Sequence, residues 1–388
     1  MSVSDQKEGY IERIDSSISS DVKKYVKDTA VKTKDEETVN VEVAPNGYTF
    51  ANEHEKLGGD KGKNNFIAVV HIDGNQMGSR VSNLEKYIEA DSDGFGETLS
   101  GCSEARKKFE IWRYYSRKFS ESIDFDFKKA LVNVYDDISK ALEDERISSS
   151  LKLKKDEDGQ TYFPLRKIIA AGDDICFVTE GRLGIESAVK FIEHLAKQKN
   201  SVDGESYNAC AGVAIVHQKY PFYRAYDLAE QLCKNVKEKM VKKTRELREN
   251  AGREDVKDGC LSAIDWHVEY GEMMGDLDEI RERMVDLNRE NIFARPYQIN
   301  AIENVMNENP YAGYRRMVTH FNHFVTDRDK ILDIAKHKQK EMRGAIKNSK
   351  QEYERFCKMN KITENLGMNA NRAQIFDALE SSDLFLPL

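Results

Sequence analysis

Three acidic side chains in two short segments are the residues of this chain best suited to chemistry. "IIAAGDDICFV", Ile168 to Val178, sets Asp173 and Asp174 side by side between apolar runs, just after Gly172. "FIAVVHIDG", Phe66 to Gly74, ends a nearly continuous apolar run on Asp73. Adjacent carboxylates repel each other, and burying either is costly unless a cation compensates it. Hard carboxylate oxygens suit Mg²⁺ or Mn²⁺, completed by water and by substrate phosphates. Two such ions ease in-line phosphoryl transfer by neutralising developing charge and activating a hydroxyl. Aspartate is also common in plain hairpin turns; the pairing of the doublet with Asp73 is what points to a site.

Further candidates surround these three. Gly74 and Gly78 bracket Asn75, Gln76 and Met77. A short glycine-containing loop after a strand can offer backbone N–H groups to phosphate. Lys234 and Lys237 lie on a predicted helix and could reach a triphosphate as point charges.

The elements that must position these residues are readable. Phe66 to Ile72 has the signature of a buried strand, ending in a turn at Asp73-Gly74-Asn75. From Ser103 to about Glu145 no Pro or Gly occurs and apolar residues recur at helical spacing, predicting one or two long helices. "PLRKIIAAGDDICFVTEG" reads strand, tight turn, strand. A helix over 184–199, a strand at "YNACAGVAIVH" and a long helix with Pro221 in its first turn follow. Strand, helix, strand-turn-strand, helix, strand is the split β-α-β order of an α+β, ferredoxin-like domain. In that topology the first strand and the central hairpin are neighbours, so Asp73, Asp173 and Asp174 are expected at one edge of the sheet. The predicted organisation is a polar arm or hairpin over 1–64, a palm-like domain over 65–265 with a helical insertion at about 91–160, and a helical C-terminal domain over 266–388.

"HIDGNQMG" and "AAGDD", followed by "AGVAIVHQKYP" and "LAEQLCKNVK", resemble the palm domain of the CRISPR polymerase family Cas10/Cmr2. That palm is akin to GGDEF diguanylate cyclases and class III nucleotide cyclases. "LSAIDWH" and "FARPYQ" are similar to the segment after that palm, so the resemblance spans roughly residues 66 to 300. It implies a βαββαβ palm that joins ATP, or another nucleoside triphosphate, into a cyclic dinucleotide or oligonucleotide with two Mg²⁺ or Mn²⁺ ions, in antiviral defence. Asp73 then matches the first metal aspartate, with the Gly74 carbonyl as a further ligand. Asp173 and Asp174 match the GGDD pair: Asp173 as metal ligand, Asp174 as ligand or base. Gly74, Asn75, Gly78 and Gly172 would line the nucleotide, and Lys237 matches the phosphate-contacting lysine.

Two departures bear on activity. Ala171 stands where GGDD has its first glycine, a small change. Asn75 stands where the usual DGD has its second aspartate, which removes a charge and leaves an amide to bond ribose or phosphate. The rival expectation is therefore a catalytically weakened palm acting as nucleotide sensor or scaffold. With no HD nuclease segment, no zinc knuckle and one palm where the family carries two, the chain resembles a small stand-alone palm protein. A single palm implies a homodimer in which one subunit holds the donor and the other the acceptor, across a two-fold axis.

Composition narrows the field. The 388 residues are 39% hydrophobic and 33% charged, with a net charge of -8. A globally basic nucleic-acid binder is not expected, and the acidic balance argues against a guide-RNA complex. The six cysteines show no C-x-x-C spacing, implying reduced thiols in a cytoplasmic protein without disulfides or structural zinc. No signal-peptide core and no apolar run of membrane-spanning length occur, so no membrane partner is expected. His217 reads as a strand-end residue, Trp112, Tyr114 and Tyr115 as helix packing, and Arg295 as one half of a structural ion pair.

Overall fold

In a computed structural model, the structure describes residues 39–58, 65–86, 103–251, 259–270, 275–299, 320–362 and 371–388. Most of the expected N-terminal arm lies outside these residues. The strands are β1 Tyr48–Thr49, β2 Phe66–Gly74, β3 Thr161–Tyr162, β4 Leu165–Ala171, β5 Asp174–Glu180, β6 Ala209–His217, β7 Ala263–Val268 and β8 Tyr297–Gln298. The helices are α1 Met77–Ser82, α2 Glu104–Leu142, α3 Glu145–Leu151, α4 Gly184–Ala196, α5 Phe222–Ala251, α6 Leu277–Arg283, α7 His320–Leu332, α8 Lys336–Asn348, α9 Lys350–Met359 and α10 Arg372–Ser381.

The core is a six-stranded sheet in the order β4-β5-β2-β6-β7-β8. Its first four strands carry the ferredoxin-like order, with β2 paired antiparallel to both β5 and β6. The apolar run of β2 makes it central: Ile67 to Val70 and Ile72 are fully buried, and each Val or Ile among them stabilises the fold by roughly 1.5–3 kcal/mol. Strand alternation gives β2 two distinct faces. Ala68 lies against α4, where a Cβ on Gly184 would come within 2.2 Å of the Ala68 Cβ. His71 and Asp73 point to the opposite face, where Tyr226 and Lys237 of α5 meet them.

Two expectations change. Within the described part of "ETVNVEVAPNGYTF" there is no hairpin; its strand β1 pairs in parallel with β3 instead. The sheet also continues past the expected palm boundary: β7 runs parallel to β6 through the α5 crossover, and β8 pairs antiparallel with β7. A boundary between 265 and 266 would therefore cut a strand whose six residues are all buried.

Arg295 forms the structural ion pair expected of it. It is nearly inaccessible and donates to Glu380 Oε2 at 2.6 Å and to the Trp266 carbonyl at 2.7 Å. It thereby ties α10 to β7. Trp112 is 44% exposed and is not a core residue; Tyr114, two residues on, is buried.

Candidate active site

The carboxyl end of β2 and the β4–β5 hairpin meet at one sheet edge. The antiparallel register makes Asp73 and Asp174 direct partners, which places their Cα atoms about 4.5–5.5 Å apart. Between the strands, Gly172 and Asp173 form a two-residue turn closed by the Ala171–Asp174 pair. Gly172 has φ +64° and no positive φ occurs at Asp173, the pattern of a II′ hairpin, which requires glycine first. The ladder extends one step into the turn: Gly74 N–H donates to the Asp173 carbonyl at 3.1 Å. Gly74 is needed for that approach, since a Cβ there would fall 2.9 Å from the Asp173 Cβ and 3.0 Å from both Met77 and Phe127.

Lys237 reaches the corner from α5. Its ammonium lies 2.6 Å from Asp73 Oδ2 and donates to the Gly74 carbonyl at 2.8 Å. Lys234 is exposed. Burial, with the Asp73 charge adding to it, holds the Asp173 carboxyl above the usual carboxylate range. Asp174 is raised likewise: burial leads, Asp73 and Glu230 add, and His71 opposes. One oxygen of Asp174 is buried without a hydrogen-bond partner. Three carboxylates beside one lysine leave a surplus of negative charge, and the residues therefore fit a divalent cation. Asp73, Asp173 and the Gly74 carbonyl could hold one if Lys237 moved off the first and the last. The expected convergence is met by the strands rather than by finished ligand geometry: among the described residues, no three His, Cys, Asp or Glu side chains are grouped to hold a metal ion.

The glycine loop behaves differently from expectation. Asn75 does not turn its amide to a nucleotide. It is 8% exposed and donates to the carbonyls of Gly259 and Leu261, at 3.1 and 2.9 Å, pinning the start of β7 to the end of β2. Its backbone N–H is also committed, to the Asn208 carbonyl at 2.8 Å, as that of Gly74 is to Asp173. Neither N–H is available to phosphate. Gly78 is exposed in α1, with open space beside it.

Asn75→Asp, which restores the more usual acid, puts an acceptor against two carbonyl oxygens. It is expected to cost about 1–3 kcal/mol of stability and to gain no Mn²⁺ affinity. Urea denaturation and calorimetric Mn²⁺ titration of the two proteins check this.

The residue missed by sequence reading is His71. It stands two positions before Asp73 on the same strand, hence on the same face. That spacing within "VVHIDG" was the available signal.

The family model described as Cas10/Cmr2, second palm domain, matches residues 66–246. That matched segment contains Asp73, Asp173, Asp174 and Lys237, and over it the chain is similar to such a palm. No curated protein matches the chain. Among solved structures, a crystal structure of an apo Csm1-Csm4 cassette is similar at 13% identity and a TM-score of 0.36, covering 85% of this chain and 38% of that one. A cryo-EM structure of type III-B Cmr-beta in the apo state is similar at 11% identity and a TM-score of 0.21, covering 52% of this chain and 26% of that one. This chain thus spans well under half the length of either. Neither likeness supports the expectations of a stand-alone protein, a homodimer or independence from a guide-RNA complex. No helix among the described residues is long and apolar enough to cross a membrane.

Proposed function

We propose that this chain, whose residues 66–246 match the second palm domain of Cas10/Cmr2, is a nucleotidyltransferase. It joins a nucleoside triphosphate, ATP favoured, into a cyclic dinucleotide or oligonucleotide in CRISPR-related defence. The observation that carries this reading is the register that sets Asp73 opposite Asp174 with Asp173 in the adjoining turn. Divalent ions at such a corner supply charge neutralisation for phosphoryl transfer and a more acidic attacking hydroxyl. The protein's own part is positional. Asp73, Asp173 and the Gly74 carbonyl would hold the ions, and Lys237 would pass from Asp73 to the triphosphate. Asp174 faces the approaching acceptor. Transfer needs donor and acceptor face to face, which a homodimer of two palms would provide, or a second palm within a larger assembly.

A second reading is favoured by one observation: Lys237 already neutralises Asp73. A palm balanced by its own lysine would bind nucleotide and not turn it over. Incubating the purified protein with each nucleoside triphosphate plus Mg²⁺ or Mn²⁺, with products identified by mass spectrometry, separates the two. A cyclic product dependent on the metal is expected. Tight nucleotide binding by calorimetry without product would establish the sensor instead, and neither binding nor product would overturn both.

A further inference from the structure

We infer that His71 is a positioning residue for Asp174, giving the two members of the aspartate doublet different jobs. This rests on the nucleotidyl-transfer reading and deepens it. His71 sits diagonally from Asp174 across the β2–β5 ladder, its direct partner being Cys176, and diagonal neighbours on one face are within reach of each other. Its Nδ1 lies 3.6 Å from Asp174 Oδ1. Both atoms are buried and neither has a hydrogen-bond partner. The separation exceeds a hydrogen bond by about 0.7 Å, and a small rotation of either side chain closes it. Closing it satisfies two polar atoms whose isolation is costly. The imidazole plane is set by Tyr226 of α5, edge-on at 5.7 Å.

The corner is thereby divided. Asp73 has Lys237 and lies beside the turn residue Asp173. Asp174 turns one oxygen inward to His71, while its side chain remains 44% exposed. A carboxylate gripped on one oxygen presents the other in a fixed direction, toward the ribose hydroxyl of the acceptor nucleotide.

The test compares His71→Leu, His71→Asn, Asp174→Ala and the double variant His71→Leu/Asp174→Ala. His71→Leu is expected to lower kcat about 10–100-fold with KM for the triphosphate and Mn²⁺ affinity unchanged. His71→Asn, whose amide nitrogen reaches the place of Nδ1, is expected to recover most of that loss. The double variant should be no slower than Asp174→Ala, as for residues acting through one contact. Unchanged kcat in His71→Leu, no rescue by asparagine, or multiplicative losses would overturn the inference. A readout independent of turnover separates it from the functional reading. In ¹⁵N-histidine-labelled protein, the His71 Nδ1 resonance should shift in Asp174→Asn and stay in place in Asp173→Asn. If that shift occurs in a protein that makes no product, the contact stands and the enzymatic reading falls. If product forms and the shift is absent, the contact falls.

Discussion

Asp73→Ala is expected to abolish metal-dependent nucleotidyl transfer, lowering kcat by at least about 10³-fold, while the protein stays folded. The loss follows from position. Asp73 supplies the carboxylate at the end of the central strand, opposite Asp174, and beside the turn that carries Asp173. Without it, Asp173 and Asp174 cannot hold an ion against the strand. Folding is spared because the Asp73–Lys237 pair is partly exposed, at 40% and 27%, and such pairs contribute on the order of 0–1 kcal/mol. Removing Asp73 also relieves charge repulsion that helps hold Asp173 and Asp174 above the usual carboxylate range. Turnover of ATP with Mn²⁺, followed alongside thermal unfolding, checks both halves. The double variant Asp173→Ala/Asp174→Ala should behave in the same way, and full product from either variant would end the account.

Arg295→Met is expected to destabilise the fold more than Asp73→Ala or Asn75→Asp. Arg295 lies between two buried carboxylates, 3.0 Å from Asp377 Oδ1 and 2.6 Å from Glu380 Oε2, with Trp266 under its guanidinium at 5.0 Å. The methionine fills the volume and removes the guanidinium from both carboxylates, leaving Glu380 only Arg343 at 3.8 Å. Breaking a buried pair from one side costs about 3–5 kcal/mol, which for a protein of this size is a drop of roughly 4–6 °C in Tm. Some compensation remains: Asp377 still accepts from the Ala294 and Arg295 N–H groups and from the Tyr297 hydroxyl. Denaturant unfolding measures the loss. A change within about 0.5 kcal/mol would show that the α10 contact contributes little. Arg295 bridges α10 and the Trp266 carbonyl and touches none of Asp73, Asp173 and Asp174, so surviving protein should keep that corner intact.

The residues of the corner were legible because their signals are local. A continuous apolar run ending in Asp-Gly marks the end of a central strand, and a glycine before an acidic pair marks a tight hairpin. What failed to show was non-local or irregular. β7 is hidden in the sequence because "AIDWHV" places Asp265 and His267 in a strand, and what makes burial of Asp265 tolerable is non-local: the ion pair with Arg281 at 2.6 Å and a hydrogen bond from Asn235 at 3.2 Å. β8, two residues long, has no periodicity to detect. The role of Asn75 depends on carbonyls 184 and 186 residues away, a distance that no spacing argument spans. The sequence pattern points Lys237 to a phosphate. Its contact with Asp73 follows from α5 crossing the face opposite α4, a choice of face that the amphipathic pattern of α5 does not specify.

In the proposed enzyme, a divalent cation is shared between the end of β2 and the β4–β5 turn. Crystals grown with Mn²⁺ and a non-hydrolysable ATP analogue, measured at the manganese absorption edge, test it directly. Anomalous peaks liganded by Asp73 and Asp173, with Lys237 turned to the phosphates, are expected. Nucleotide bound with Lys237 still on Asp73 and no peak between the two aspartates would contradict it.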